Sequence, residues 1–305
     1  MQEAVIDSSI PRKKKRQSLL SRIIKQLSKE YVFAIGSIPF IWQILFFFIP
    51  LFVLCWTAFL GLDGHFSLKA FKHVCTLNYF VIVLNSLSLA FATTLLCLLL
   101  GFPLAYFMAF NSERTQKVLL FLLIIPFWTN FILHIYAWFF VLEKNGFLNN
   151  LLMNIGLISS PLHSLNSPFS VLLMMIYFYL PFMVLPIFSA LERFDTRLLE
   201  ASLDLGANRS QTLGRILLPM ISKAIKSGIF LVFIPAFGEF VIPELMGGDK
   251  IVFVGNVISL FILGKSTASY GVAFTLLSAL ILMGGLLILN YSINRLSCYL
   301  AGGHQ

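Results

Sequence analysis

The chain has 305 residues, of which 58% are hydrophobic and 11% charged. Water-soluble domains carry about a quarter charged residues, so this balance excludes a soluble globule and, with it, soluble enzymes and soluble binding modules. The formal net charge is +9, and where that charge falls along the chain decides what it means.

The first element is polar. The basic cluster RKKKR (12–16) precedes QSLLSRIIKQLSKEYVF (17–33), where Leu20, Ile23, Ile24 and Leu27 share one helical face and Arg22, Lys25 and Lys29 mark the other. This pattern predicts an amphipathic helix lying in the headgroup plane against anionic lipid. A nucleic-acid arm would not need the apolar face. A cleavable signal peptide is not expected, because no short apolar core with a small-residue cleavage site follows the basic cluster.

Apolar runs long enough to cross a bilayer core, about 20 residues each, then recur. Six are predicted: Ile38 to Phe59, Tyr79 to Met108, Val118 to Val141, Phe169 to Leu191, Ala224 to Leu245 and Tyr270 to Ile293. Each is expected to be helical, since hydrocarbon offers no water to stray backbone groups. The predicted fold is therefore an all-α membrane protein with six transmembrane helices. Its expected divisions are a basic cytoplasmic segment (1–37), a six-helix transmembrane domain (38–294) with a cytoplasmic loop at 192–222, and a short cytoplasmic tail (295–305).

With the N-terminus inside, 17 of the Lys and Arg residues fall on the cytoplasmic side and 5 on the other, while the acids divide 8 to 5. Positive-inside bias thus accounts for the whole net charge, and no nucleic-acid partner is implied. The longer outer segments, around 61–78, 143–168 and 246–269, are expected to carry short helices. SSPLHSLNSP (159–168) reads as a loop. Cys55, Cys75, Cys97 and Cys298 form no disulfide framework.

Reactive constellations are missing. His65, His73, His134, His163 and His304 lack metal-ligand spacing, and His134, inside the third run, reads as a structural hydrogen-bonding residue. GKST (264–267) resembles the end of a phosphate-binding loop, but Ser259 stands where the loop needs its first glycine. No catalytic residue, metal site or cofactor is expected in this chain.

Between the fourth and fifth runs lies LEASLDLGANRSQTLGRILLP (199–219), polar and helix-prone. Asp195 is a candidate N-cap for a helix from Thr196 to Leu205, which Gly206 stops in the left-handed conformation. Asn208 and Gln211 form a capping pair for a second helix that is expected to run through Ile216 until Pro219 interrupts it. Leu198, Leu199, Ala201 and Leu205 give the first helix an apolar ridge, beside which Glu200 and Asp204 sit one turn apart. Geometry alone leaves two readings open, a ridge that fits a partner's groove or a loop packed on its own spans.

The letters separate them. Glu200-Ala201-Ser202, three residues, Gly206, nine residues, Ile216, one residue and Leu218-Pro219 resemble the EAA motif of binding-protein-dependent ABC importers, with Ser202 in place of its second alanine. The resemblance implies the type I importer permease (MetI-like) fold. It also implies a coupling helix docked on a separate ATP-hydrolysing subunit, with Glu200, Ala201, Ser202, Asp204 and Gly206 as the contact and corner positions. ATP and Mg would be bound by that partner.

The fifth run reads SGIFLVFIPAFGEFVIPELMGG (227–248). Pro235, Gly238 and Pro243 weaken its helix, and Glu239 follows the glycine. A carboxylate at the bilayer centre costs about 2.5–3.5 kcal/mol on insertion scales, so Glu239 must face a path or pair with a basic neighbour. Glu244 stands nearer the outer mouth. PAFGEFVIPELMGG with GNVI (255–258) is similar to the first of the two paired permease subunits of polyamine (spermidine/putrescine) importers. That resemblance implies a bacterial inner-membrane assembly with both termini of this chain cytoplasmic. Its parts would be this chain, a second homologous permease, two ATP-binding subunits and an extracytoplasmic substrate-binding protein.

Polyamines are polycations, so Glu239 and Glu244, with the rings of Phe237, Phe240, Tyr177 and Tyr179 for cation–π contact, are the candidate path residues. Tyr177 and Tyr179 stand about 200° apart around a helix, so at most one is expected to face a given path. The alternatives are the same machine carrying ferric iron, thiamine or an anion, or an ion-coupled secondary transporter that works alone.

Overall fold

The computed structural model describes residues 37, 39–59, 65–248, 251–264 and 268–300, the last five of these as backbone only. The predicted interfacial helix at 17–33, the basic cluster, GKST beyond its glycine and residues 301–305 lie outside the described residues. Two compact units divide at Thr57. The first contributes most of α1 (Pro39–Ala58), a helix apolar on every face as a membrane span requires.

The second unit is helical among the described residues. In chain order it holds α2 (Lys69–Val74), α3 (Leu77–Ala109), α4 (Glu113–Trp128), α5 (Phe131–Leu142), α6 (Phe147–Asn154) and α7 (Pro168–Glu192). Then come α8 (Arg197–Asp204), α9 (Arg209–Gly238), α10 (Val241–Met246), α11 (Val254–Leu263) and α12 (Ala268–Leu300). Among the described residues five helices are long and apolar enough to cross a membrane, and α4 with the helical stretch from Phe131 to Asn154 makes a sixth when that bent pair is counted as one span. The expected short outer helices are α2, α6 and α11, and 159–168 forms the expected loop.

The centre is built from α3, α7 and α9. Met183 of α7, fully buried, is the wedge between them. A Cβ at Gly101 of α3 would stand 3.2 Å from Met183 Cγ, and one at Gly228 of α9 would stand 2.8 Å from Met183 Sδ. Small residues on two helices thus let three backbones close on one side chain, which is how spans associate without a hydrophobic drive between them.

Two expectations about spans are corrected. The third run is not one straight helix: its halves meet at 98° across Thr129 and Asn130. Asn130 caps the second half, its Oδ1 accepting from Ile132 N at 2.8 Å. The carbonyl of Pro126, orphaned by the break, accepts from Thr129 Oγ1 and from His134 Nε2, both at 3.1 Å. His134 Nδ1 in turn accepts from Tyr177 OH at 3.0 Å. His134 is the structural hydrogen-bonding residue expected, and it ties the bend of the third span to the fourth.

The fifth span starts and ends earlier than its hydropathy suggested. Its helix continues through Pro219 for 30 residues, from Arg209 to Gly238. A π-turn over Leu213–Leu217, closed by Leu218 N donating to Leu213 O, absorbs the proline: the wider turn relieves the carbonyl that its ring would strike. At the other end the helix stops at Gly238, seven residues short of Leu245. The last helix also runs on to Leu300, past the expected domain end at 294.

Candidate functional site

The corner at Gly206, expected on the inner side of the membrane and called the inner corner below, is assembled from local signals. Asp195 Oδ1 accepts from Arg197 N at 3.1 Å, opening α8 one residue later than expected. At the other end Gly206 has φ +84°. Its N–H donates to Leu203 O at 2.9 Å, and Ala207 N donates to Ser202 O at 3.1 Å. These two bonds are a Schellman stop, which needs a residue without a Cβ penalty at Gly206. Asn208 and Gln211 then cap α9 reciprocally, at 2.8 and 3.0 Å.

One further bond locks the two helices together. Ser202 Oγ and Thr212 Oγ1 lie 2.6 Å apart, and both residues are only 6% exposed. Ser202, the departure from the EAA letters, therefore faces into the corner and not outward. Glu200, Ala201 and Asp204 are exposed, and Leu205 is 89% exposed. Leu198, Ala201 and Leu205 fall at i, i+3 and i+7 on one open face, whereas Leu199 turns toward the core. The corner thus presents a narrow apolar strip beside two carboxylates and keeps its polar lock inside.

The outer break is closed by side chains from afar. Between α9 and α10, Glu239 adopts an extended backbone and its carboxylate caps the second helix. Oε1 accepts from Val241 N at 3.0 Å and from Ile242 N at 3.5 Å, while Oε2 accepts from Tyr179 OH at 2.8 Å. At the far end of α10, Ser170 Oγ donates to Met246 O at 2.8 Å. Ser86 Oγ accepts from Val254 N, the first amide of α11, at 2.8 Å. Gly255 sits against the break itself: a Cβ there would stand 2.6 Å from Gly238 O and 2.8 Å from Glu239 O.

Beside this break opens an outer cleft of about 800 Å³, lined among others by Tyr79, Phe240, Glu244, Asn256 and Phe261. Asn256 Nδ2 donates to Glu244 Oε2 at 2.5 Å and to Phe240 O at 3.4 Å. Asn256 Oδ1 is enclosed and meets no donor among the described residues, a deficit of about 1–3 kcal/mol for a buried acceptor.

Of the candidate path residues, the structure brings Phe240 and Glu244 together in the cleft and joins Glu239 to Tyr179. It does not gather the rest. Phe237 and Tyr179 are each 4% exposed, so Phe237 packs into the bundle and is not presented to the cleft. Tyr177 turns away to His134, and the two tyrosines diverge as their spacing required. Sequence reasoning gave no role to Ser170, Gly255 or Asn256. Gly255 and Asn256 open the quoted GNVI, and a Gly-Asn pair after a broken span is a readable sign of close backbone approach. Ser170 carries no such sign.

Comparison with known proteins can now be set beside this geometry. The family described as binding-protein-dependent transport system inner membrane component matches residues 101–297. The chain belongs to that family. It is an inner-membrane permease component and not itself an enzyme, and the matched region contains the inner corner and the outer break alike. It is 39% identical over 261 residues to the spermidine/putrescine transport system permease protein PotB of Salmonella typhi, covering 84% of this chain and 91% of the relative. For the PotB protein of Escherichia coli (strain K12) the identity is 38% over 261 residues, with 84% and 94% covered.

Among solved structures, the permease is similar in fold to a chain of a bacterial ABC transporter involved in the import of the acidic polysaccharide alginate. There the TM-score is 0.68 at 18% identity, with 90% of this chain and 98% of the other covered. The MetI-like six-helix fold expected from the EAA letters is thereby borne out.

Proposed function

We propose that this permease forms the translocation path of an ATP-driven importer for polyamines of the spermidine and putrescine class. The coupling half of the reading is carried by one observation, the inner corner: a rigid, capped helix pair that holds Leu198, Ala201 and Leu205 in solvent beside Glu200 and Asp204. An apolar strip held off the bundle suits a groove in another protein, and the paired acids, one turn apart, suit a basic rim. Glu200, Ala201, Asp204 and Gly206 are then the coupling positions, with Ser202 locking the corner from within.

The partner is a separate ATP-binding subunit, present twice and carrying ATP and Mg. A second, homologous permease completes the path as a heterodimer, and an extracytoplasmic binding protein delivers the solute. In this reading both termini belong to the cytoplasm and 192–222 is the coupling loop.

The solute half is supported by likeness along most of the chain to spermidine/putrescine permeases. It is also supported by the chemistry of the outer cleft, where Glu244 stands among the rings of Tyr79, Phe240 and Phe261. Glu244 and Phe240 stand along the proposed path, and Glu239 stands at the break beside it. Tyr179 supports Glu239, and Tyr177 and Phe237 support the spans around it. The test is purification with the partner subunits, reconstitution in lipid, and measurement of ATP hydrolysis and uptake with spermidine or putrescine on the binding protein. Uptake that requires both the ATPase and ATP is expected. Uptake that persists without the ATPase would instead identify a secondary transporter.

A further inference from the structure

The outer break and the outer cleft each hold one carboxylate, and the chain uses them differently. Glu239 is held on both oxygens: Val241 N and Ile242 N donate to Oε1 and Tyr179 OH donates to Oε2. Glu244 is exposed, opens into the cleft and has one donor, Asn256 Nδ2. A carboxylate offers about four lone-pair positions, so most of the accepting capacity of Glu244 is unused. Among the described residues no lysine or arginine reaches it as an ion pair.

We propose that Glu244 and Asn256 form an ammonium-binding subsite at the outer mouth of the path, and that Glu239 is a positioning residue that shapes the break beside it. The inference rests on the polyamine reading above and names the group that first takes hold of the solute within this chain. Tyr79, Phe240 and Phe261 line the same cleft, and ring faces attract ammonium and alkylammonium groups. The cleft, about 800 Å³, is of the size that small-molecule sites have. Asn256 does two things there. Its amide nitrogen fixes Glu244 against the Phe240 carbonyl, and its oxygen, which meets no donor among the described residues, gains one from a ligand N–H after a small rotation of the amide.

The placement follows from the fold. Gly255 lets α11 lie directly on the α9–α10 break. That contact brings Asn256, the next residue, within reach of Glu244 twelve positions earlier in the chain. A path acid at Glu239 would have to give up its helix cap each time a cation passed. Glu244 gives up nothing of the kind.

The test uses the whole transporter in vesicles, driven by ATP, with spermidine-loaded binding protein at saturation. In Glu244→Gln, uptake per ATP hydrolysed is expected to fall about tenfold, the loss of one charge-assisted hydrogen bond, with hydrolysis and subunit co-purification unchanged. Asn256→Ala is expected to lower the same ratio by a smaller factor. Tyr179→Phe, which acts through Glu239, is expected to lower uptake and hydrolysis together and to leave their ratio as it was. A Glu244→Gln transporter with the wild-type ratio would overturn the subsite while leaving the polyamine reading intact. Failure of the wild-type transporter to take up any polyamine would overturn both.

Discussion

The inner corner and the outer break are both interruptions of helix at a glycine, yet they are held in opposite ways. At the corner every stabilising bond spans ten residues or fewer: Asp195 to Arg197, the two carbonyls of the Schellman stop, Asn208 with Gln211, and Ser202 with Thr212. At the break the partners come from Tyr179, Ser170, Ser86 and Gly255, on three other helices. A locally closed corner moves as one piece, as a handle must. A break closed by its neighbours depends on where those neighbours stand.

That difference can be broken on purpose. The largest effect is expected at Gly255→Val. Its side chain would begin 2.6 Å from a backbone carbonyl, and overpacking of this kind costs about 1–3 kcal/mol or more. Loss of monodisperse protein on size exclusion, with the coupling corner untouched, checks it. A smaller effect is expected at Glu239→Gln. The amide keeps the space but weakens the charge-assisted cap, by about 1–2 kcal/mol, which thermal unfolding in detergent measures alongside a parallel fall in uptake and hydrolysis.

The smallest is expected inside the corner. Ser202→Ala leaves Thr212 without its partner, at about 1 kcal/mol, and adding Thr212→Val recovers most of that loss. The double-mutant cycle in thermal stability measures it, and ATP-driven uptake is expected to survive in all three variants.

The same contrast explains what was legible in the sequence. The corner was readable almost residue by residue, because caps and left-handed stops are written in neighbouring letters. Pro219 misled, since nothing nearby announces that a π-turn will carry the helix past it, and the inward turns of Leu199 and Ser202 were not readable either. The location of the outer break was readable from Pro235, Gly238 and Pro243, but its architecture was not. A tyrosine 60 positions before Glu239 leaves no local trace of the bond it makes.

The bend in the third span was missed for a related reason. Val118 to Val141 is apolar throughout, and hydropathy cannot distinguish a straight span from two halves at 98°. Asn130, a capping residue before an apolar run, was the sign available there. The candidate path residues fared unevenly because hydropathy places a ring at a depth without giving it a direction.

The central claim is that the solvent-facing strip of α8 transmits force from a separate motor. Glu200→Arg tests it most directly, because Glu200 is exposed and takes no part in the bonds that fold the corner. ATP-driven polyamine uptake by the reconstituted transporter is expected to be lost in this variant, with membrane insertion and the thermal stability of the permease unchanged. Uptake at the wild-type rate would contradict the account.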